Sequence, residues 1–474
     1  MREIVSILPE IIILTAASLI LLVDFYLSDK RRPILLCLTS VIALLVAAGL
    51  NSYSCYVLYF DDIKTIPQMI FSGHLVFDVK LVLFKSIAYL SLLMVYIYSY
   101  GYLKKHRLIS SEYYSLSLFS LLGTLVLVSS TSLLTVYLGL ELTTLPLYAL
   151  IAFDKKSTKS LEAAMKYFLL SVISSGIFLF GVSLAFGVSG GFTFTEVAKG
   201  LASADIVIAK LSVLFMLVGV LFKLGLVPFH FWLPDVYEGS RTPITLLVAT
   251  IPKIAAVGMS LNLTTQVFVN NKDIWQSIIM YLAPISICFA SIVAISQTNL
   301  KRMLGYSAIS HLGFIGLAVF VSSYKLSIYY TVVYLLTTLG VFGIILASAK
   351  DNVIENINDL KGLREENYFF AFLFTVFLFS LAGIPPLAGF FAKLFILKAL
   401  MAKGYIILTI SILLASVIAS YYYLRIIKVI YFDLPEKPFK GSTSIFIKSL
   451  LLINAVIVVF LGIMPNLLYS LLAI

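Results

Sequence analysis

The 474 residues are 61% hydrophobic and only 12% charged, with a mean hydropathy of +1.05; soluble chains are about half apolar and about a quarter charged. That composition leaves no room for a soluble catalytic domain and places the chain in a bilayer. The net charge of +11 is spread over many loops instead of one basic face, so it reads as topogenic, and no nucleic-acid partner is expected.

In chain order, apolar runs of about twenty residues set off by polar or Pro/Gly-marked breaks predict helices near 4–27, 33–51, 79–101, 112–130, 132–153, 163–187, 206–233, 243–263, 275–296, 303–322, 327–349, 368–400, 405–430 and 445–470. The first run lacks a basic n-region beyond Arg2 and a small-residue cleavage site, so it is read as a retained span. The runs are continuously apolar, without the two-residue alternation of a transmembrane barrel. The predicted fold is an all-α polytopic membrane protein with 14 transmembrane helices. With the N-terminus outside, twenty Lys and Arg fall on the cytoplasmic loops and their flanks, nine on the other side and five within spans. That asymmetry supports two outside termini.

Cys37, Cys55 and Cys288 are scattered singly, and His74, His106, His230 and His311 show no metal-ligand spacing. No cofactor or metal site is expected in this chain, and electron chemistry belongs to partners.

A charge at the centre of a span costs about 2.5 to 3.5 kcal/mol, so one kept there is a functional candidate. Glu141, Lys223, Lys253 and Lys393 all fall near mid-span, whereas Lys398 reaches the interface. Lys166, about three residues inside its span, fits either an interfacial or a buried role. Glu10, Asp24, Asp78 and Lys85 lie near span ends and read as interfacial, and an aromatic belt accounts for most of the Tyr and Phe. Three central lysines against one carboxylate cannot all be neutralised by pairing. Buried lysines can gain and lose protons, and the group reads as a proton relay. His311 in SAISHLGFIG and His230 are candidate relay histidines or hydrogen-bonded core residues.

Two spans are interrupted. LFKLGLVPFHFWLPD places Gly225 and Pro228 beside Lys223 and His230; LAGIPPLAGFFAKLF places Gly383, Pro385, Pro386 and Gly389 ahead of Lys393. Broken helices in matching positions point to an inverted-repeat transporter. Spans 4–8 and 9–13 become two five-helix repeats with discontinuous helices 7 and 12, and the odd helix number inverts the second. The organisation expected is an N-terminal three-helix segment over 1–111, repeats over 112–263 and 275–430, and a C-terminal helix over 431–474.

The stretches TVYLGLELTTLPLYAL, LFKLGLVPFHFWLPDVYEGSRTPIT, ATIPKIAAVG and FSLAGIPPLAGFFAKLFIL resemble the proton-translocating antiporter-like subunits of bacterial respiratory complex I, over about residues 1–470. The opening LPEIIILTAASLILLVDFYL, the lack of a long lateral helix after span 14, and Lys393 where the M-type paralogue carries glutamate favour the N-type branch. Arg241 departs from the family's usual proline. The resemblance implies fourteen helices in the bacterial inner membrane. It also implies membrane-arm partners, namely an antiporter-like neighbour, small quinone-side subunits and lipids, with flavin, iron–sulfur clusters and quinone in other subunits. Quinone reduction elsewhere drives protons from cytoplasm to exterior: Glu141 pairs with Lys223, and Lys253 hands protons to Lys393. The rivals are a subunit of a multi-subunit cation/proton antiporter or of a membrane-bound hydrogenase, a lipid-active membrane enzyme, which lacks a DxxD or HExxH set here, and a scaffold.

Overall fold

The computed structural model describes residues 6–26, 32–60, 68–348, 354–434 and 444–472. Arg2, Lys30, Arg31, Lys64, Lys350, Lys437 and Lys440 of the loop charges lie outside them. The chain order is α1 (Leu8–Asp24), α2 (Arg32–Phe60), an antiparallel hairpin of β1 (Gln68–Ile70) and β2 (Leu75–Phe77), α3 (Val79–Lys105), α4 (Ser111–Ser129), α5 (Leu133–Ile151), α6 (Thr158–Ser189), α7 (Phe194–Ser203), α8 (Ile206–Leu224), α9 (Trp232–Gly239) and α10 (Thr242–Asn262). It continues with α11 (Lys272–Ser296), α12 (Leu300–Phe320), α13 (Tyr324–Ser348), a 3-10 turn (Ile357–Leu360), α14 (Leu363–Glu366), α15 (Tyr368–Ala382), α16 (Ala388–Ala402), α17 (Ile406–Phe432), α18 (Ile445–Ile463) and α19 (Pro465–Leu471).

Among the described residues, twelve helices are long and apolar enough to cross a membrane. The chain is a multi-pass membrane protein of all-α class. The two other expected spans are α1, a continuous helix of 17 residues, and the interrupted run, which is split into α15 and α16 of 15 residues each. Side-chain oxygens of Ser110, Ser132, Ser157, Asp205 and Asn299 accept from backbone N–H groups at the starts of α4, α5, α6, α8 and α12, meeting donors that a helix start leaves open and that lipid cannot satisfy.

An internal duplication is written in the packing. Helix α4 contacts α5 and α10, α5 contacts α6, and α6 and α10 contact α8; α11 contacts α12 and α17, α12 contacts α13, and α13 and α17 contact α15. The turns repeat as well. Leu133 N–H donates to Phe192 O and Phe194 N–H to Thr131 O, both at 2.9 Å; Leu300 N–H donates to Glu355 O at 2.8 Å and Ile357 N–H to Thr298 O at 3.0 Å. Each bridge ends in a capping box, Thr193 with Glu196 and Asn356 with Asp359. Asn262 Nδ2 holds the carbonyl of Val128 at 2.9 Å, and Arg425 does the same for Ile295 and Gln297 at 2.6 Å.

Two expectations change. Glu10 and Lys85, expected near span ends, do not face outward: Lys85 Nζ meets Glu10 Oε1 at 2.6 Å with both side chains buried, joining α1 to α3. The tyrosines are not chiefly a belt, because Tyr89, Tyr96, Tyr98, Tyr113, Tyr114, Tyr167 and others are fully buried. Helix–helix contact inside the bundle buries rings that an isolated span would carry at its ends. Asp24 does stay at a helix end, where it accepts from Ser111 at 2.7 Å.

Candidate functional site

Helix α8 closes at Gly225, whose φ of +70° only glycine adopts cheaply, and the chain re-enters a helix at Trp232. Lys223 stands in the last turn of α8, half-buried, and donates to Ser171 Oγ of α6 at 3.1 Å. Glu141, on α5, is likewise half-buried, and its carboxylate has no ion pair within 4.0 Å among the described residues. The expected direct Glu141–Lys223 contact is therefore open in this structure, with Ser171 in the carboxylate's place. A cavity of about 10 Å³, roughly the space of one water centre, is lined by Thr143, Thr144, Lys223, Pro252 and Ala255 and separates α5 and α8 from α10.

Every residue of α10 is buried. Lys253 is 0% exposed, its Nζ has no hydrogen-bond partner, and it lies 4.7 Å from the centre of the Trp232 ring. Trp232 is itself fixed: Nε1 donates to Phe222 O at 3.2 Å, and the ring stacks on Tyr167 at 4.5 Å. A desolvated cation–π contact contributes about 2 kcal/mol, less than the several kcal/mol that burying an ammonium costs. The aromatic face alone does not stabilise a permanent cation here.

Lys393 of α16 folds back over the second break. Its Nζ donates to Leu381 O at 3.1 Å, Ala382 O at 2.8 Å and Ser416 Oγ at 3.2 Å, and lies 5.5 Å from the Phe314 ring. The two carbonyls are the open C-terminal acceptors of α15, where a cation is favoured by the helix dipole. Gly383 makes the approach possible, since a Cβ there would lie 3.0 Å from Lys393 Cδ.

His311 joins the second half. Nδ1 pairs with Tyr330 OH at 2.8 Å and Nε2 with Tyr423 OH at 3.1 Å, and Tyr423 OH also bonds Ser307 Oγ. His230 is buried in the first break against Phe289, with Nδ1 unpartnered. Lys166 resolves differently: 45% exposed, it bridges Glu162 at 2.7 Å and Asp235 at 2.9 Å on the rim of a polar cavity of about 210 Å³ shared with Lys159, Glu238 and Arg302. The structure thus gathers Glu141 and Lys223 about α5 and α8, and His311 and Lys393 about α12 and α16, with Lys253 between them. Lys166 sits apart. Ser171, Trp232, Ser307, Tyr330, Ser416 and Tyr423 were not singled out from the sequence. A tryptophan inside a proline break and the Tyr421–Tyr423 run were the available signals, but hydroxyl partners carry no sequence pattern.

The family described as NADH:quinone oxidoreductase/Mrp antiporter, TM matches residues 130–419, from the end of α4 into α17. The chain belongs to this family. A member in Alkalilimnicola ehrlichii, "NADH-quinone oxidoreductase subunit N", is 40% identical, with 98% of this chain and 94% of that one covered. Among solved structures, a chain in "Respiratory complex I from Thermus thermophilus with bound Aureothin" superposes with a TM-score of 0.80 at 27% identity, covering 98% of each chain. A chain of the Mrp complex from Dietzia sp. DQ12-45-1b shares the fold, with a TM-score of 0.84 at 17% identity over 99% of this chain and 96% of that one. Within the NADH:quinone oxidoreductase/Mrp antiporter family, the matched stretch runs from the turn after α4 into α17 and contains every candidate relay residue.

Proposed function

We propose that this chain is the N-type membrane-arm subunit of a proton-translocating NADH:quinone oxidoreductase and moves protons from cytoplasm to exterior through Glu141, Lys223, Lys253, His311 and Lys393. The observation that carries the reading is that Lys223, Lys253 and Lys393, buried or half-buried at membrane depth, have no carboxylate within 4.0 Å among the described residues, which suits groups that exchange protons better than fixed ion pairs. The assignment to this complex, over a cation/proton antiporter, is supported by the naming of the full-length relatives.

The chain has no redox group of its own in this reading; flavin, iron–sulfur clusters and quinone lie in partner subunits, and quinone reduction there supplies the drive. Repeats over 112–263 and 275–430 carry the relay, flanked by the segments 1–111 and 431–474, with fourteen spans and both termini outside the bacterial inner membrane. Its neighbours are an antiporter-like subunit, the small quinone-side subunits and lipid. Approach of Glu141 to Lys223 stabilises the ammonium, and its withdrawal to the observed open arrangement lets the proton move on. Repulsion between neighbouring protonated lysines makes loading of one unfavourable to the next. His230 is an accessory in this scheme, and Lys166 belongs to the charged rim on the cytoplasmic side.

Glu141→Gln in the whole complex, reconstituted into vesicles, tests it. Dye-monitored proton pumping should collapse while assembly stays intact, because the carboxylate holds no other helix; normal gradients would remove Glu141 from the relay. Reporter fusions after Lys105, Arg241 and Arg364 should report cytoplasm, and after Gly190 and Lys272 the exterior.

A further inference from the structure

The polar cavity of about 210 Å³ between α6, α9 and α12 is lined by Lys159, Glu162, Lys166, Asp235, Glu238 and Arg302, an even balance of cations and anions. Gly239 forms part of its wall: a Cβ there would lie 2.6 Å from both Ala163 Cβ and Lys159 O, so glycine lets α9 rest against the first turns of α6. Asp235 engages both oxygens, with Lys166 at 2.9 Å and Arg302 at 2.7 Å, and Glu238 does so with Lys159 at 3.3 Å and Arg302 at 3.0 Å. Two groups keep unused capacity. Glu162, 64% exposed, meets Lys166 through Oε1 at 2.7 Å, and its Oε2 has no partner among the described residues. Lys159, 67% exposed, has only the 3.3 Å contact for its three N–H donors. The two lie one helical turn apart, about 5–6 Å between Cβ atoms. Beyond them the outward face of α6 turns apolar, with Met165, Leu169, Val172 and Ile173 all exposed. The 32 residues of α6 reach about 48 Å at about 1.5 Å each, longer than a hydrocarbon core of about 30 Å. Lys159 and Glu162, in its first turns, therefore lie at headgroup depth, and the apolar stripe lies in the acyl layer.

We propose that this cavity binds a phospholipid whose headgroup carries both a phosphate and a primary ammonium. Lys159 holds the phosphate, Glu162 Oε2 accepts from the ammonium, and an acyl chain lies along Met165, Leu169 and Ile173. The site is separate from the proton relay. Its chemistry selects the headgroup. A headgroup that is only anionic would bring a second negative charge against Glu162, Asp235 and Glu238, and a quaternary ammonium has no N–H to give Glu162. In ethanolamine an ethylene link joins the phosphate to the ammonium, a reach suited to two side chains one helical turn apart. About 10–15 Å³ of such space holds one water, so the cavity admits a small headgroup with water around it. The rim ion pairs are half-exposed and contribute about 0–1 kcal/mol each, so they yield to the added contacts at little cost.

The test uses the whole complex in phosphatidylcholine nanodiscs containing a small fraction of phosphatidylethanolamine, phosphatidylcholine or phosphatidylglycerol with a photoreactive acyl chain, and maps the labelled peptides by mass spectrometry. Phosphatidylethanolamine should label the stretch from Met165 to Ile173 several-fold above the other two, and Glu162→Gln or Lys159→Gln should bring it down to their level. Equal labelling by phosphatidylcholine would mean acyl packing without headgroup recognition, equal labelling by phosphatidylglycerol a phosphate site without ammonium recognition, and no labelling a face covered by a partner subunit. Each of these overturns the proposal, as does undiminished labelling in either variant. Proton flux does not enter the readout, so failure here leaves the relay standing, and failure of the relay leaves this site standing. Where a variant does not assemble, competition on the unaltered complex decides: unlabelled phosphatidylethanolamine should displace the probe where unlabelled phosphatidylcholine does not, and equal displacement by both overturns the site.

Discussion

Lys85 and Lys253 are both buried lysines in the same bundle, and they are solved in opposite ways. Lys85 of α3 has a carboxylate at 2.6 Å from α1; Lys253 of α10 has an aromatic face and no hydrogen bond. The first pair can stay charged indefinitely and ties the N-terminal segment together, outside the stretch matched to the family. The second position, inside that stretch, offers an ammonium only an aromatic face. Burial alone therefore does not distinguish the two lysines; the presence or absence of a fixed counter-charge does.

The sharpest way to break this contrast is to fix the charge. Arginine cannot deprotonate in proteins, so Lys253→Arg and Lys253→Met should both abolish proton pumping in vesicles. Lys393→Met should do the same, with Lys393→Arg keeping partial activity because two helix-end carbonyls and Ser416 can still receive a cation. Full pumping in Lys253→Arg would put that residue with Lys85 as a structural cation. The converse change acts on folding. Lys85→Met leaves Glu10 buried and unpaired, a loss of about 3–5 kcal/mol in comparable buried pairs, and should lower the yield and thermal stability of the assembled complex. The double variant Lys85→Met/Glu10→Gln should recover most of both with pumping unchanged; lost pumping in a well-assembled double variant would make the pair part of the relay. The smallest effect belongs to Lys166. Its ion pairs are half-exposed and each worth about 0–1 kcal/mol, so Lys166→Gln should leave melting temperature and pumping close to wild type, and a collapse of pumping would move the charged rim into the proton path.

How the two repeats spend their residues makes a similar point. Gly225 with Pro228 and Gly383 with Pro386 keep one spacing around each break, yet the lysine precedes the glycine in the first repeat and follows it in the second. Lys393 nonetheless reaches back across its break to the carbonyls of Leu381 and Ala382, so the charge returns to the end of the preceding helix. Sequence order and spatial order differ because a long side chain folds over the gap that the glycine leaves open.

Much of the molecule was legible without coordinates, because a bilayer imposes simple rules: a span needs about twenty apolar residues, backbone polar groups must pair within a helix, and a mid-span charge is too costly to be incidental. Those rules gave the all-α class, the two breaks and the four central charges. They are one-dimensional, however, and partner choice is not. That Glu10 meets Lys85 across 75 positions, that Lys223 rests on Ser171 and not on Glu141, that Tyr330 and Tyr423 bracket His311, and that Trp232 underlies Lys253 all depend on which helix faces touch. A nearly uniformly apolar helix has no stripe to announce its buried face. Close packing of the helices made those choices, and with them decided which buried lysine is held by a counter-charge and which is left without a hydrogen-bond partner.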